Sequence, residues 1–421
     1  MNFQPIIDFI RFLYPGRETI PLHEPCFGGN EKKYLLDCVD STFVSSVGKY
    51  VDQFEAMVRD YTGAKYAVAT VNGTAALHIA LKLAGVEQGD LVITQPLTFI
   101  ATCNAISYCG AEPVFIDIDR RTLGLSADAL EKWLAENVDL VTNSEKRLGS
   151  LESIEGLEGR GTWKFYQPSQ PQYFSLHKAS LRRISACVPM HTFGHPCEID
   201  RIVEICDRYC IPVVEDSAES IGSYYKGKHT GTFGKLGILS FNGNKTITTG
   251  GGGMIVTDNE DLGKLAKHIT TTAKIPHPWN FEHNMIGYNY RMPNINAALG
   301  CAQMERLPEI LANKRETACH YQGFFSRFSE IDFVVEPEAS ISNYWLNAIL
   351  MRDLHDRNEF LEFSCKSNVI TRPAWILMNN LTMFKNSLMG DLRASEDVSS
   401  RLVNIPSSVR REPCYGNSYG Q

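Results

Sequence analysis

The chain has 421 residues, of which 43% are hydrophobic and 21% are charged. This composition is ordinary for a folded globular protein, and the length suffices for two or three structural units around a large core. The net charge of −7 is spread along the chain without a basic block, which argues against binding to nucleic acid or to anionic membranes. The twelve cysteines lack metal-ligand spacing, so we predict no metal site and expect reduced thiols.

Two apolar stretches could suggest membrane targeting, and neither fits that role. Residues 1–14 contain an acidic and a basic residue and lack the basic start and small-residue cleavage site of a signal peptide. The uncharged stretch 91–111 contains Gln95 and Pro96, which favours a buried strand followed by a helix. We therefore interpret residues 1–28 as an N-terminal segment that begins with a short packed helix, and we expect a cytoplasmic protein.

Short apolar runs alternate with amphipathic helical segments between residues 29 and 270. Continuous apolar strands separated by helices are typical of parallel sheets covered on both faces, so this pattern predicts a large α/β domain with a mostly parallel seven-stranded sheet. Ligands of such sheets bind outside the carboxyl ends of the strands. The seven predicted strands are residues 66–70, 91–95, 113–118, 184–191, 212–215, 237–241 and 253–257.

The pattern changes in two other parts of the chain. Residues 294–318 form a long helical stretch and the remainder is mixed and broken by prolines, so we predict a smaller α+β domain over 285–421. Residues 139–182 carry glycine-containing and polar–aromatic segments between a helix and a strand, and we interpret them as a surface insertion. The insertion is either a lid or substrate loop or a segment without a role in binding.

Lys245 is the most informative single residue. It lies in the run 240–257, which holds no other charged residue, with a serine five positions before it and four glycines shortly after it. Because desolvation favours the neutral, nucleophilic amine, this setting makes Lys245 a candidate for covalent attachment of a carbonyl-bearing cofactor. For a lysine considered alone, an exposed position in a hairpin would be the better interpretation.

Asp216 and the segment 73–75 could supply other groups that such a cofactor needs. Asp216 ends an apolar strand-like run, where its carboxylate could stabilise a protonated ring nitrogen or, alternatively, cap the next turn. Gly73, Thr74 and Ala75 open a helix after the first strand, so their N–H groups and the threonine hydroxyl could hold a phosphate. An ordinary helix N-cap is the alternative for this segment.

Two further residues are candidates for the same site. Ser240 could add a hydroxyl to the phosphate cup, although it could also be an ordinary polar residue of a strand. Phe99 follows a strand and could stack on a cofactor ring, although core packing is the usual role of such a phenylalanine. The glycine run 250–253 permits a tight turn, but it lacks the G-x-G-x-x-G spacing of a nucleotide-binding loop.

The order of these groups along the chain is stronger evidence than any one of them. A helix-opening Gly-Thr, an aromatic residue, a strand-end aspartate and a lysine follow one another at spacings that suit one edge of a sheet. A lysine for covalent attachment, an anion for the ring nitrogen and a cup for the phosphate are the three anchors of pyridoxal 5'-phosphate. The sequence therefore predicts an enzyme that uses this cofactor.

Four segments resemble the DegT-type family of sugar aminotransferases, which are fold-type-I pyridoxal phosphate enzymes acting on nucleotide-linked keto-sugars. The resemblance covers most of residues 20–410 apart from 139–182. It implies that Lys245 attaches the cofactor and moves the proton, that Asp216 pairs with the pyridine nitrogen, and that Phe99 stacks on the ring. It also implies that Gly73, Thr74 and Ser240 hold the phosphate. The segments are residues 72–77, 214–222, 240–254 and 287–300.

The resemblance also concerns the subunit arrangement. Asn289 matches an asparagine that reaches the phosphate of the neighbouring subunit, which implies an obligate homodimer with shared active sites. Arg291, two residues later, is a candidate substrate contact. The chain departs from many family members at Glu219, where they carry Gln or His near the cofactor hydroxyl, and in the run 250–253, where they carry Gly-Glu-Gly-Gly. These departures concern the identity of the substrate rather than the chemistry.

A narrower similarity concerns the substrate. Four segments are similar to the aminotransferases of the legionaminic acid pathway, which convert UDP-4-keto-6-deoxy-N-acetylglucosamine into its 4-amino sugar with L-glutamate as amine donor. We expect this reaction, in surface polysaccharide biosynthesis, with Trp345 and Arg372 as candidate contacts to the donor or the sugar. A core tryptophan and a surface arginine are the alternatives. The segments are residues 276–279, 342–347, 371–373 and 403–408.

Three other functions are alternatives to this reaction. The main alternative substrate is a GDP-linked 4-keto-6-deoxymannose, as in perosamine synthesis. A pyridoxamine-dependent sugar dehydratase is disfavoured because such relatives carry histidine in place of Lys245. A non-enzymatic regulator with the same fold is disfavoured because it should have lost part of the site, whereas every core position is present.

Overall fold

A computed structural model describes residues 1–142 and 173–410 of the chain. All seven predicted strands are present, and most of their ends lie within three residues of the predicted bounds. In chain order, the strands up to residue 257 are β1 (Tyr66–Thr70), β2 (Leu91–Thr94), β3 (Glu112–Phe115), β4 (Val138–Thr142), β5 (Tyr173–His177), β6 (Arg183–Val188), β7 (Val214–Asp216), β8 (Tyr224–Tyr225), β9 (Lys228–His229), β10 (Leu236–Ser240) and β11 (Gly253–Thr257).

The central sheet has the strand order β3-β2-β6-β7-β10-β11-β1. Neighbouring strands are parallel, except that β11 runs antiparallel to both β10 and β1. Parallel bridges from Cys187 to Val213 and from Met190 to Asp216 join β6 to β7. The predicted mostly parallel seven-stranded sheet is therefore confirmed, and the carboxyl ends of its parallel strands meet at one edge.

Strands β4 and β5 extend the sheet beyond the seven predicted strands. β4 pairs antiparallel with β5, and β5 pairs antiparallel with β6. Both strands lie in or next to the predicted surface insertion 139–182, so the described ends of that region include strand rather than loop only. The polar and glycine-containing composition around them concealed the short apolar pattern of 173–177, in which Phe174 is buried. Residues 143–172 lie outside the described residues.

Helices cover both faces of the central sheet. Strand side chains alternate between the faces, so Val68, Ile238 and Ile255 pack beneath α4 and α8, whereas their neighbours Ala69, Leu239 and Met254 pack with α3 and α9. The helices are α1 (Gln4–Leu13), α2 (Glu31–Asp40), α3 (Lys49–Thr62), α4 (Gly73–Ala84), α5 (Ile100–Tyr108), α6 (Ala127–Asn137), α7 (Ile199–Arg208), α8 (Glu260–Thr270), α9 (Asn294–Phe325), α10 (Leu354–Lys366) and α11 (Arg393–Arg401).

The C-terminal part of the chain forms a second, smaller sheet. Its antiparallel strand order is β12-β14-β16-β15, whereas β13 pairs with β8 of the large domain. This arrangement has the α+β character predicted for the C-terminal domain. The remaining strands are β12 (Asp332–Phe333), β13 (Ser340–Ile341), β14 (Asn347–Leu350), β15 (Arg372–Pro373) and β16 (Leu402–Ile405).

Helix α9 belongs to both domains. Met304 and Leu307 in its first half pack in the core with α3, whereas Tyr321 and Phe325 in its second half pack in the core of the smaller domain. The N-terminal helix α1 joins this second core through a buried apolar face that includes Ile10. The smaller domain is thus built from both ends of the chain.

No helix of the described ranges 1–142 and 173–410 is long and apolar enough to cross a bilayer.

Candidate active site

The sheet edge brings together residues that are far apart in sequence. Asp216 is the last residue of β7, Ser240 is the last residue of β10, and Gly73 is the first residue of α4. Because β7 and β10 are parallel neighbours, Asp216 and Ser240 emerge at the same edge. A Cβ atom built on Gly73 would lie 3.0 Å from Ser240 Cβ, so Gly73 and Ser240 are adjacent. The structure therefore places the predicted ring-nitrogen anchor and the predicted phosphate cup on one surface.

The first turn of α4 has the form of an anion cup. Asn72 is its N-cap, and its side chain accepts a hydrogen bond of 2.8 Å from the N–H of Ala75. The N–H groups of Gly73 and Thr74 have no carbonyl partner within the helix because they belong to its first turn. Gly73 and Thr74 fit the predicted phosphate role, together with the Ser240 hydroxyl. Ala75 does not, because its N–H is already used by the cap.

Asp216 is a buried carboxylate with two hydrogen-bond donors, and its side chain points to α5. Thr102 Oγ1 donates to its Oδ2 over 2.7 Å, and the N–H of Ala218 donates to its Oδ1 over 3.2 Å. Burial raises the pKa of Asp216, while the bond from Thr102 lowers it. A buried acid of this kind is stabilised by a cationic partner, which a protonated pyridine nitrogen would provide.

Lys245 lies at the centre of the site. Its side chain is only 12% exposed, and its Nζ is 3.2 Å from Glu219 Oε1. On another side, the Nζ lies 4.0 Å from the centroid of the Trp345 ring, whose indole N–H donates to the carbonyl of Asn244 over 2.6 Å. The exposed hairpin lysine considered from the sequence is thereby excluded. Lys245 is instead a largely buried amine held between a carboxylate and an aromatic face.

Glu219 is the acid partner of this lysine. It is 2% exposed, and its Oε2 accepts a hydrogen bond of 2.9 Å from the N–H of Phe193. Phe193 adopts a positive φ of 57°, which is uncommon for a residue with a side chain and aims its N–H at the carboxylate. Burial raises the pKa of Glu219 to about 7, and the nearby Lys245 opposes that shift.

The remaining predicted contacts, Phe99, Trp345 and Arg372, differ in how close they lie to the site. Phe99 precedes α5 and is 48% exposed, so its ring is free to stack on a ligand, and its centroid is 6.1 Å from that of Trp375. Trp345 is both a core residue and a neighbour of Lys245. Within the described part of the chain, Arg372 does not contact the site, and its guanidinium donates only to the carbonyl of Thr371. It lies exposed on β15, where strand pairing rather than the site fixes its backbone.

Asn289 and Arg291 lie in a pocket of about 730 Å³ that shares no lining residue with the Lys245 cluster. Backbone bridges join Asn289 to Thr271 and Arg291 to Thr70, so the pocket borders the loop that leads into α4. Arg291 Nε is buried and has no hydrogen-bond partner among the described residues. The pocket is lined by Ser46, Thr271, Thr272, Lys274, Pro276, His277, Pro278, Asn289 and Arg291.

Several residues of the site gave no signal in the sequence. Thr102 lies one helical turn after Phe99, and Phe193 depends on an unusual backbone conformation. Asn343 donates to the carbonyls of Glu219 and Ile221, both over 2.9 Å, and thereby ties the segment before β14 to the site. The contacts of Thr102 with Asp216 and of Asn343 with Glu219 span 114 and 124 residues, and that of Phe193 with Glu219 spans 26, so no local pattern could have indicated them. Across residues 1–142 and 173–410 no cluster of His, Cys, Asp or Glu is suited to hold a metal ion.

These residues fit pyridoxal 5'-phosphate. The site offers a buried amine at Lys245, a buried carboxylate at Asp216 and a helix N-terminus beside a serine hydroxyl. Phe99 supplies an exposed aromatic ring near Thr102, the residue that bonds to Asp216. Together these groups match the amine, ring nitrogen, ring face and phosphate of that cofactor. The arrangement defines a transferase of fold type I.

Comparison with known proteins agrees with this class. The sequence profile of the DegT/DnrJ/EryC1/StrS aminotransferase family matches residues 25–142 and 172–413. The GDP-perosamine synthase of Escherichia coli O157:H7 is 35% identical over 388 residues, which are 92% of this chain and 93% of that protein. EpsN of Bacillus subtilis strain 168, whose name describes a pyridoxal phosphate-dependent aminotransferase, is 33% identical over 93% of this chain and 91% of its own.

A solved structure supports the same fold. The aminotransferase TlmJ of Streptoalloteichus hindustanus superposes with a TM-score of 0.77 and 24% identity, over 92% of this chain and 93% of that one. The chain belongs to the DegT/DnrJ/EryC1/StrS aminotransferase family. It is a pyridoxal phosphate-dependent aminotransferase, as the sequence predicted.

The raised pKa of Glu219 predicts a specific dependence of stability on pH. Between pH 4.5 and about 7 the unfolded glutamate is ionised while the folded one keeps its proton, so rising pH favours unfolding. In cofactor-free protein, wild type should therefore lose stability relative to Glu219→Gln across this window, by up to about 1.4 kcal/mol for each pH unit. Urea unfolding of both proteins at several pH values measures the difference. A wild type that gains stability over Glu219→Gln in this window would show that Lys245 keeps the carboxylate ionised.

Proposed function

We propose that the protein transfers the amino group of L-glutamate to the keto carbon of UDP-4-keto-6-deoxy-N-acetylglucosamine. The observation that carries the amino transfer is the buried Lys245 amine, 3.2 Å from Glu219, at the sheet edge that also holds Asp216. An aminotransferase needs one group that can both bind covalently and move a proton. Lys245 is the buried lysine of the cluster that meets this need.

Each residue of the site has a part in this function. Pyridoxal phosphate, when bound, supplies an electron sink for charge that develops on the substrate carbon. Asp216 would hold the proton of the ring nitrogen, and Gly73, Thr74 and Ser240 would hold the phosphate. Lys245 carries the transferred proton at its Nζ, and Glu219 Oε1 is the acceptor recorded next to it. Because the Asp216 and Glu219 carboxylates are buried, their charges are weakly screened by water.

The choice of a UDP-linked sugar rests on the narrower similarity to the legionaminic acid pathway. One of its four segments, 342–347, supplies residues around Lys245. Trp345 covers its amine, and Asn343 bonds to the backbone of Glu219. The second candidate is GDP-4-keto-6-deoxymannose, because the E. coli relative is a GDP-perosamine synthase that aligns over nearly its whole length.

We further propose a homodimer in which the pocket of Asn289 and Arg291 completes the site of the partner subunit. The pocket contains two cations, Lys274 and Arg291, and the buried Arg291 Nε lacks a partner within the described chain. A bound phosphate would pair with both cations and would accept a hydrogen bond from Arg291 Nε. Exposed apolar side chains beside the pocket, including Trp279 and Phe281, are suited to burial in a subunit interface.

Replacing Lys245 tests the aminotransferase assignment. Lys245→Ala should lose the visible absorbance band of lysine-bound cofactor and slow amino transfer by roughly 10²- to 10⁴-fold, since the variant lacks the amine that moves the proton. Absorbance spectra before and after L-glutamate, with product analysis, measure both effects. Lys264→Ala, which removes a lysine of α8 with 69% side-chain exposure, is the matched control. Turnover that survives in Lys245→Ala would refute the assignment.

Nucleotide binding distinguishes the two sugar candidates. UDP should bind the cofactor-loaded enzyme at least about tenfold more tightly than GDP, a difference of about 1.4 kcal/mol. Isothermal titration calorimetry with each nucleotide measures the dissociation constants, and assays with the two keto-sugars follow. A preference for GDP would contradict the UDP-linked substrate and support the perosamine-type reaction.

Mixed dimers test whether the sites are shared. Lys245→Ala and Asn289→Ala should each be impaired alone, but purified mixed dimers should regain about one half of the wild-type sites, because one of the two sites in each mixed dimer is intact. Co-expression with two affinity tags yields these dimers for assay. The pair Lys245→Ala and Asp216→Asn should show no recovery, since both residues belong to the same subunit's part of the site. Equal absence of recovery in both pairs would contradict a shared site.

A further inference from the structure

Lys314 is a buried lysine that the proposed function leaves without a role. It lies within α9 and is 1% exposed, and burial lowers its pKa to about 7. Its Nζ lies 2.7 Å from the carbonyl of Ser407, 3.2 Å from the carbonyl of Trp345 and 3.1 Å from His23 Nε2. An ammonium group has three N–H donors, so these three acceptors match its charged form.

The three acceptors come from three distant segments of the chain. His23 belongs to the N-terminal segment, where the carbonyl of Leu22 accepts a bond of 2.7 Å from the N–H of Ser407. Burial and the neighbouring Lys314 and Lys245 keep the pKa of His23 well below its usual range. The imidazole is therefore neutral, and its Nε2 can accept the bond from Lys314. Lys314 thus holds the N-terminal segment, the segment before β14 and the segment after β16 together.

Trp345 connects Lys314 to the reactive lysine. Its carbonyl accepts from Lys314, while its ring centroid lies 4.0 Å from Lys245 Nζ. Its backbone N–H donates to Asn343 Oδ1 over 2.8 Å, and its indole N–H donates to the carbonyl of Asn244. The bond from Lys314 is the contact that anchors the carbonyl side of this residue. Trp345 therefore contacts two lysines: its backbone carbonyl contacts Lys314 and its ring contacts Lys245.

We propose that Lys314 is a positioning residue for amino transfer, which holds the Trp345 ring over Lys245 so that the ring stabilises the ammonium form of the free lysine. The proposal rests on the assignment of Lys245 as the reactive lysine. An aromatic face at this distance attracts a cation, and in a desolvated site the attraction corresponds to a change of roughly tenfold or more in the proton equilibrium of the amine. Lys314 touches neither cofactor nor substrate in this role.

The experiment measures how readily Lys245 binds pyridoxal phosphate as pH changes. Covalent attachment needs the neutral amine, so the pH midpoint of the attachment rate, followed by absorbance, reports the coupled proton equilibrium of Lys245 and of Glu219, whose Oε1 lies 3.2 Å from the Lys245 Nζ. Four proteins form a double-mutant cycle: wild type, Lys314→Met, Trp345→Leu and the double variant. Lys314→Gln, which keeps two N–H donors, replaces Lys314→Met if that variant does not fold. Lys366→Met removes a cation of α10 with 72% side-chain exposure and is the matched control.

Lys314→Met should shift the midpoint down by about one pH unit when Trp345 is present, which corresponds to the tenfold loss. It should not shift the midpoint down in the Trp345→Leu background, because the ring that it positions is gone. An equal downward shift in both backgrounds, an upward shift in both or no shift in either would overturn the proposal. Attachment at a lysine other than Lys245 in wild type would overturn the assignment of the reactive lysine and this inference together.

Discussion

The contact between Lys245 and Glu219 is the interaction on which the rest of the site depends. Glu219 is buried and Lys245 is largely buried, and an isolated charge in such surroundings would be strongly unfavourable. The protein offsets this cost with a hydrogen bond from the Phe193 N–H to the other Glu219 carboxylate oxygen and with the aromatic face over Lys245. Each of these supports comes from a different part of the chain. The requirement to stabilise one buried pair therefore explains why so many segments converge at this sheet edge.

The supports differ in how firmly they are fixed. Asp216 is anchored by a strand and by α5, so its position follows directly from the sheet. Phe193 lies in a short 3-10 turn (Thr192–Gly194) and Trp345 in a connecting segment, and hydrogen bonds together with packing in one hydrophobic cluster determine where they point. Asn343 supplies much of this control, because a single amide side chain bonds to the backbones of Glu219, Ile221 and Trp345. The chemistry of the site thus depends on a rigid sheet and on a polar network around it.

The sheet and its anchors could be predicted from the sequence because both follow local rules. Seven apolar runs predicted the seven strands, and strand-end positions predicted where Asp216 and Gly73 would lie. The partnership of Lys245 with Glu219 could not be predicted, since it requires the fold of residues 193 and 343 as well as that of the strands. The position of Arg372 could not be predicted either. A sequence motif does not show where a side chain lies unless its neighbours in the fold are known. The cap that occupies the N–H of Ala75 likewise depends on the side-chain rotamer of Asn72.

The continuity of α9 has a consequence for how the two domains can move. Its first half lies in one hydrophobic core and its second half lies in the other, with no flexible linker between them. A rotation of one core against the other would have to bend this helix or pull one of its halves out of its packing, and both changes are costly. The helix carries Pro308 between these two halves, and a proline inside a helix removes one backbone hydrogen bond, so any such bend should be centred there.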